Sequence, residues 1–166
     1  MFDREGGTFL SGDTLLEKIT SNPMVELDTS VVNDNYRAVE QYMTSLSLVD
    51  GLPVSKVLPG HGRPFTNHRQ RVEELYTHHR DRMEKVLQIL KSDKTKSNAA
   101  SGMTPFMVAE SLFRSLEGID LFLGLSEAQG HLEVLEQNGL AFSRNQGGHR
   151  LYYLENNNRK SVPDLV

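Results

Sequence analysis

The sequence of 166 residues contains no cysteine. That absence excludes disulfides and thiolate metal sites, so any metal would have to be held by His, Asp and Glu. It is also compatible with a reducing compartment. No apolar run approaches the roughly 18–20 residues needed to cross a bilayer. The opening stretch MFDREGGTFL has no basic region followed by an apolar core, so no signal peptide is expected. Together these features predict a soluble, cytoplasmic protein without membrane partners. Excess positive charge is lacking too. Lys and Arg number 18 against 22 Asp and Glu, a formal net charge of −4, so nothing global points to nucleic acid or an anionic membrane. What is present is a globular composition, 37% apolar and 24% charged, in a chain long enough for one medium domain or two small ones.

The pattern of residues then places elements. Residues 1–12 read as a β-hairpin, with MFD and TFLSG as strands and the glycines of REGG for the turn. Residues 13–22 read as a short helical turn or a loop, stopped by Pro23. Asn33 or Asp34 can cap a helix whose Val39, Tyr42, Met43, Leu46 and Val49 recur at helical spacing. The β-branched stretch VSKVL at 54–58 forms a strand that delivers the chain into PGHG. Residues 67–91 carry the clearest helical stripe, through Val72, Leu75, Tyr76, His79, Met83, Val86, Leu87 and Leu90, with Arg69, Arg71, Arg80, Arg82 and Lys85 mostly off it. The small, polar stretch 92–102 reads as a linker. Beyond it, Thr104 caps a helix with Pro105 in its first turn, and a second helix starts at Ser126 and ends at Gly139. LAFSRN and HRLYYL flank QGG as a hairpin, and residues 156–166 form a polar tail. The domain reading is therefore 1–91, a linker at 92–102, and 103–155.

Two residues stand out chemically. Asp13 follows a strand and Gly12, at a sheet edge where sites of layered α/β folds gather; the alternative is a cap for the turn TLLEK. His61 sits between Gly60 and Gly62, which let the backbone turn sharply. A neutral imidazole there suits zinc or iron, and the alternative is a solvated turn histidine. Arg63, just past the loop, could meet an anionic substrate or simply be solvated. His79 falls on the apolar stripe and is expected to be packed. His68, His131 and His149 are read as surface or hairpin residues. His78 and His79, on consecutive helical positions about 100° apart, cannot easily grip one ion.

Taken together, SGDTLL and LPGHG, separated by a helix and a short strand, resemble the last two metal-binding motifs of the metallo-β-lactamase superfamily. The order of elements over roughly residues 3–155 resembles one subgroup of its hydrolases, in which a winged-helix module follows the catalytic domain. The fold this implies is α/β (α+β): the second half of an αββα sandwich over 1–91, then a small winged-helix domain over 103–155. The resemblance implies metal-ligand roles for Asp13 and His61, a dinuclear zinc centre, and hydrolysis of an ester- or thioester-type bond of a small-molecule substrate. The superfamily's first motif, His-x-His-x-Asp-His, is absent from this sequence. Since catalytic zinc generally takes three protein ligands, the isolated chain is expected to bind zinc weakly and to be inactive.

That shortfall predicts a partner. Half of a two-sheet fold would bare an inner apolar sheet face, so the chain is expected to form a homo-oligomer or to pair with the missing N-terminal half. The winged-helix reading raises DNA, but the 126–138 helix carries Glu127, Glu133 and Glu136 and no Lys or Arg. Five basic and eight acidic residues over 97–166 give a net charge of −3. Basic contacts to phosphate dominate DNA affinity, so this module is expected to shape the pocket mouth rather than bind DNA. Two alternatives remain at this level. One is a non-catalytic assembly or binding module with vestigial metal residues. The other is a relative of RNA-processing nucleases.

Overall fold

The structure, a computed structural model, describes residues 1–25, 37–96, 102–155 and 162. It divides into two compact units. The first takes in Met1–Asn22 and Glu40–His79, the second Pro23–Val39 and Arg80–Asp164, as far as these are described.

The first unit is built on a three-stranded sheet. Strands β1 (Phe2–Asp3) and β2 (Thr8–Gly12) form the expected antiparallel hairpin. Strand β3 (Lys56–Pro59) lies parallel to β2 on its other side. Parallel strands need a crossover connection, and helix α1 (Ala38–Asp50) lies within it. Both expected caps of this helix, Asn33 and Asp34, lie outside the described residues. Side chains alternate along β2. Phe9 and Ser11 are buried, together with Val57 of β3, while Leu10 is exposed and faces its pairing partner Met1, also exposed. The core of this unit adds Leu15, Tyr42, Met43, Leu46, Val49, Val72 and Leu75. Tyr42, Met43, Leu46 and Val49 lie on the predicted face of α1, and Val72 and Leu75 on the predicted stripe of the next helix.

That helix, α2 (His68–Lys96), runs five residues past the expected stop at 91 and into the expected linker. The stretch KSDKTK contains neither glycine nor proline, and Ser92 donates its hydroxyl back to the Ile89 carbonyl at 2.8 Å, so nothing in the chain ends the helix there.

In the second unit, α3 (Pro105–Leu112) begins as predicted, with the Thr104 hydroxyl accepting from the Met107 amide at 3.2 Å. Helix α4 (Ile119–Gln137) starts seven residues before the expected Ser126. Gly124 lies inside it where the helix packs close: a Cβ would come within 2.7 Å of Leu116 and 3.1 Å of Phe113. Gly139 closes α4 with φ +64°, the left-handed C′ residue expected from sequence. Strands β4 (Ala141–Gln146) and β5 (His149–Leu154) pair antiparallel through Gly147 and Gly148, both with positive φ, as a type I′ turn requires. The three glutamates of α4 are not presented to solvent as a repulsive row. Glu127 pairs with Arg82, Glu136 with Arg150, and Glu133 is buried with an amide of Gln129. Burial is the main cause holding the Glu133 carboxyl above the usual range.

Candidate metal centre

Strands β2 and β3 end side by side, and the two motifs lie just beyond those ends. The parallel register pairs Gly12 with Pro59, and the Gly60 amide donates to the Gly12 carbonyl at 2.8 Å. Gly12 takes φ +54°, which turns the chain out of the strand at Asp13. Gly60 has no room for a side chain: a Cβ there would sit 2.7 Å from Oδ1 of Asp13 and 3.1 Å from the Gly12 backbone. On the far side, Phe65 folds back onto Val57 in an antiparallel bridge, closing the loop 58–64.

The result is direct contact between two residues distant in the chain. Nδ1–H of His61 donates to Oδ1 of Asp13 at 2.7 Å, and both side chains remain open to water, 72% and 62% exposed. With Nδ1 committed to the carboxylate, the lone pair of the neutral ring lies on Nε2. The sequence-based pairing of these residues is therefore realised in space. Arg63 is exposed and has no ion-pair partner among the described residues.

The loop after Asp13 is held by side chains rather than by secondary structure. Five of its carbonyls are taken: Asp13 by the Ser21 hydroxyl, Thr14 by Tyr42 at 2.9 Å, Leu15 by Ser11 at 2.8 Å, Leu16 by Arg71 Nε at 2.8 Å, and Ile19 by Arg71 Nη2 at 3.0 Å. With its acceptors so engaged the segment makes no helix. Arg71 is the residue that sequence reasoning missed. Its place off the apolar stripe reads as solvated, yet it is 8% exposed, with Nη1 on Glu74 at 2.9 Å.

The other histidines are divided. His79 is buried edge-on against Tyr42, as expected, with ring centroids 5.6 Å apart. His149 is exposed on the β4–β5 hairpin, also as expected. His68 and His131, expected at the surface, are instead buried. For His131 the reason is local: Nδ1 bonds the Glu127 carbonyl one helical turn back at 2.6 Å, which removes much of the cost of burying the ring.

As donors, a carboxylate and an imidazole suit zinc. Their number does not: among the described residues no group of three or more His, Cys, Asp or Glu comes together to hold an ion. Asp13 and His61 alone therefore supply two donors, fewer than the three protein ligands of a catalytic zinc site. Among the described residues no helix is long and apolar enough to cross a membrane.

The described residues thus place an exposed Asp–His pair at the ends of adjacent parallel strands, next to Gly-rich turns. The chain is 33% identical over 136 residues to the probable metallo-hydrolase YqjP of Bacillus subtilis (strain 168), covering 82% of this chain and 40% of that protein. Among solved structures it matches a metallo-beta-lactamase family protein from Thermus thermophilus with TM-score 0.73 and 25% identity, covering 93% of this chain and 44% of that one. A beta-lactamase domain protein from Burkholderia ambifaria matches with TM-score 0.74 and 25% identity, over 92% of this chain and 42% of that one. No protein-family model matches. The chain belongs to the metallo-β-lactamase superfamily, spans less than half the length of these relatives, and corresponds to their C-terminal half.

Proposed function

We propose that this chain supplies one carboxylate ligand, Asp13, and one imidazole ligand, His61, to the dinuclear zinc centre of a cytoplasmic hydrolase acting on an ester- or thioester-type bond. When bound, the metal would supply Lewis-acid activation of water and of the scissile carbonyl. What the chain itself does is hold the two ligands at one point, on turns fixed by the β2–β3 ladder and by Arg71. The contact between Asp13 and His61 at 2.7 Å carries this reading, and membership of a hydrolase superfamily supports it.

The remaining ligands come from another stretch of polypeptide, of the His-x-His-x-Asp-His kind, packed on the sheet. The exposed side chains of Leu10 on β2 and of Met1, paired to it just before β1, support such a partner layer. The second unit is taken as a winged-helix module. Arg63 is kept as a candidate contact for an anionic substrate.

The test is a zinc titration followed by calorimetry and by NMR of the His61 ring. The chain is expected to take up zinc weakly at the pair, to lose this in Asp13→Ala and in His61→Ala, and to hydrolyse no thioester until a polypeptide carrying the histidine motif is added. Zinc uptake indifferent to both substitutions would overturn the assignment. The two-donor count favours a second reading, a non-catalytic assembly module. Added histidine-motif polypeptide that binds but leaves the complex free of metal would establish that instead.

A further inference from the structure

A hollow of about 180 Å³ opens beside His61, lined by Leu16, Glu17, Lys18, Ile19, His61 and Gly62. Its volume is close to the roughly 150 Å³ of an engineered apolar cavity that takes a benzene ring, and well under the 300–1,000 Å³ or so of a pocket for a drug-sized ligand. Space here therefore suits one apolar group of about that size.

One wall is pinned and the opposite rim is open. On one, the Arg71 guanidinium holds the Leu16 and Ile19 carbonyls at 2.8 and 3.0 Å. On the other, Gly62 takes φ +90°, and a Cβ there would meet nothing within 4 Å, so that rim is open. Ile19 is the unusual member. It is a large apolar side chain left 68% exposed on a loop whose carbonyls are pinned by hydrogen bonds. A single exposed apolar residue needs no explanation by itself. This one borders a hollow that also touches the imidazole of the candidate centre. The two charged lining residues, Glu17 and Lys18, are of opposite sign, so the hollow has no net charge with which to select an ionic group.

We infer that this hollow is a substrate subsite that takes a short apolar acyl chain, of about six carbons by the volume comparison above, with the scissile carbonyl lying toward Asp13 and His61. The inference rests on the proposed hydrolase reading for the direction in which the substrate lies. The subsite itself is a claim about Leu16, Ile19 and the His61–Gly62 turn, and it selects by chain length. Ile19 is its specificity-determining residue.

The experiment uses the full chain with methyl and imidazole NMR signals, titrated with acetamide, butanamide and hexanamide. These neutral probes place a carbonyl and a tail of increasing length without adding a charge beside Asp13. The expected result is saturable shifts at Leu16, Ile19 and His61, with affinity rising about tenfold for the two methylenes between butanamide and hexanamide. Ile19→Asn, a change at an exposed position, is expected to remove that increment. Equal affinity for all three amides, or a chain-length dependence that survives Ile19→Asn, would overturn the subsite. Zinc titration separates the two ideas. Loss of zinc binding with intact amide selectivity condemns the hydrolase reading alone, and the reverse condemns the subsite alone.

Discussion

The Gly60 amide donates to the Gly12 carbonyl at 2.8 Å, and this bond sets Asp13 beside His61. It extends the parallel ladder by one link beyond the pairing of Gly12 with Pro59. What the pair can do depends on this backbone link between the two turns, with side chains holding the loop that follows Asp13.

A methyl group at position 60 is the sharpest probe of that arrangement. In Gly60→Ala the new Cβ would lie 2.7 Å from Asp13 Oδ1, and 3.1 and 3.3 Å from the Gly12 carbonyl group. The carboxylate can rotate away, but the backbone must shift. The variant is expected to lose about 1–3 kcal/mol of stability, in the range of overpacking changes. It is also expected to lose zinc uptake at the pair, checked by urea unfolding and calorimetry.

Changing the ligands themselves has the opposite profile. Asp13 and His61 are 62% and 72% exposed, so their mutual contact is solvent-screened. Asp13→Asn and His61→Ala are each expected to change unfolding free energy by less than about 1 kcal/mol. A larger loss in urea titrations would mean that the pair is a structural clasp rather than an open set of donors.

Arg71 should behave as a structural keystone. Arg71→Ala leaves the Leu16 and Ile19 carbonyls without their donor and removes a buried side chain. The expected cost is about 2–4 kcal/mol, summed from unmade hydrogen bonds and lost packing. Arg71→Lys should restore part of it, since an ammonium can serve one carbonyl but not both with the same planar fork. Paired unfolding curves of the two variants give the comparison.

The second unit offers a titration. Tyr152 is fully buried, its hydroxyl accepts from Gln129 at 3.1 Å, and burial pushes its pKa up from 10.0 to about 12. Above pH 10 the unfolded chain therefore releases the phenolic proton that the folded chain keeps. Stability from this group is complete below pH 10 and falls as pH rises toward about 12. Absorbance of phenolate should show Tyr152 titrating late in the native chain, with Tyr42 and Tyr76 also raised by burial. Tyr152→Phe should flatten the alkaline decline of thermal stability over the same window.

How much of this was legible in the sequence varies with how local the cause is. The hairpin turns at REGG and QGG, the Thr104 cap and the Gly139 stop are written in neighbouring residues, and all were readable. So were Asp13 and His61, because each follows a strand and a glycine. Arg71 was not, because its partners are main-chain carbonyls 55 and 52 positions away, and carbonyls have no signature in sequence. The start of α4 was missed for a related reason: the close packing of Phe113 and Leu116 at Gly124 is a fact of tertiary structure. His131 looked like a surface residue because the carbonyl that serves it belongs to its own helix.

The crossover between β2 and β3 has a kinetic corollary. Asp13 and His61, 48 positions apart in the chain, become neighbours only after helix α1 and strand β3 have folded back across the sheet. No early hairpin contains both donors, so an ion cannot nucleate this unit and must arrive late. Zinc should then slow unfolding without hastening refolding, which makes occupancy of the pair a clock for the last step of assembly.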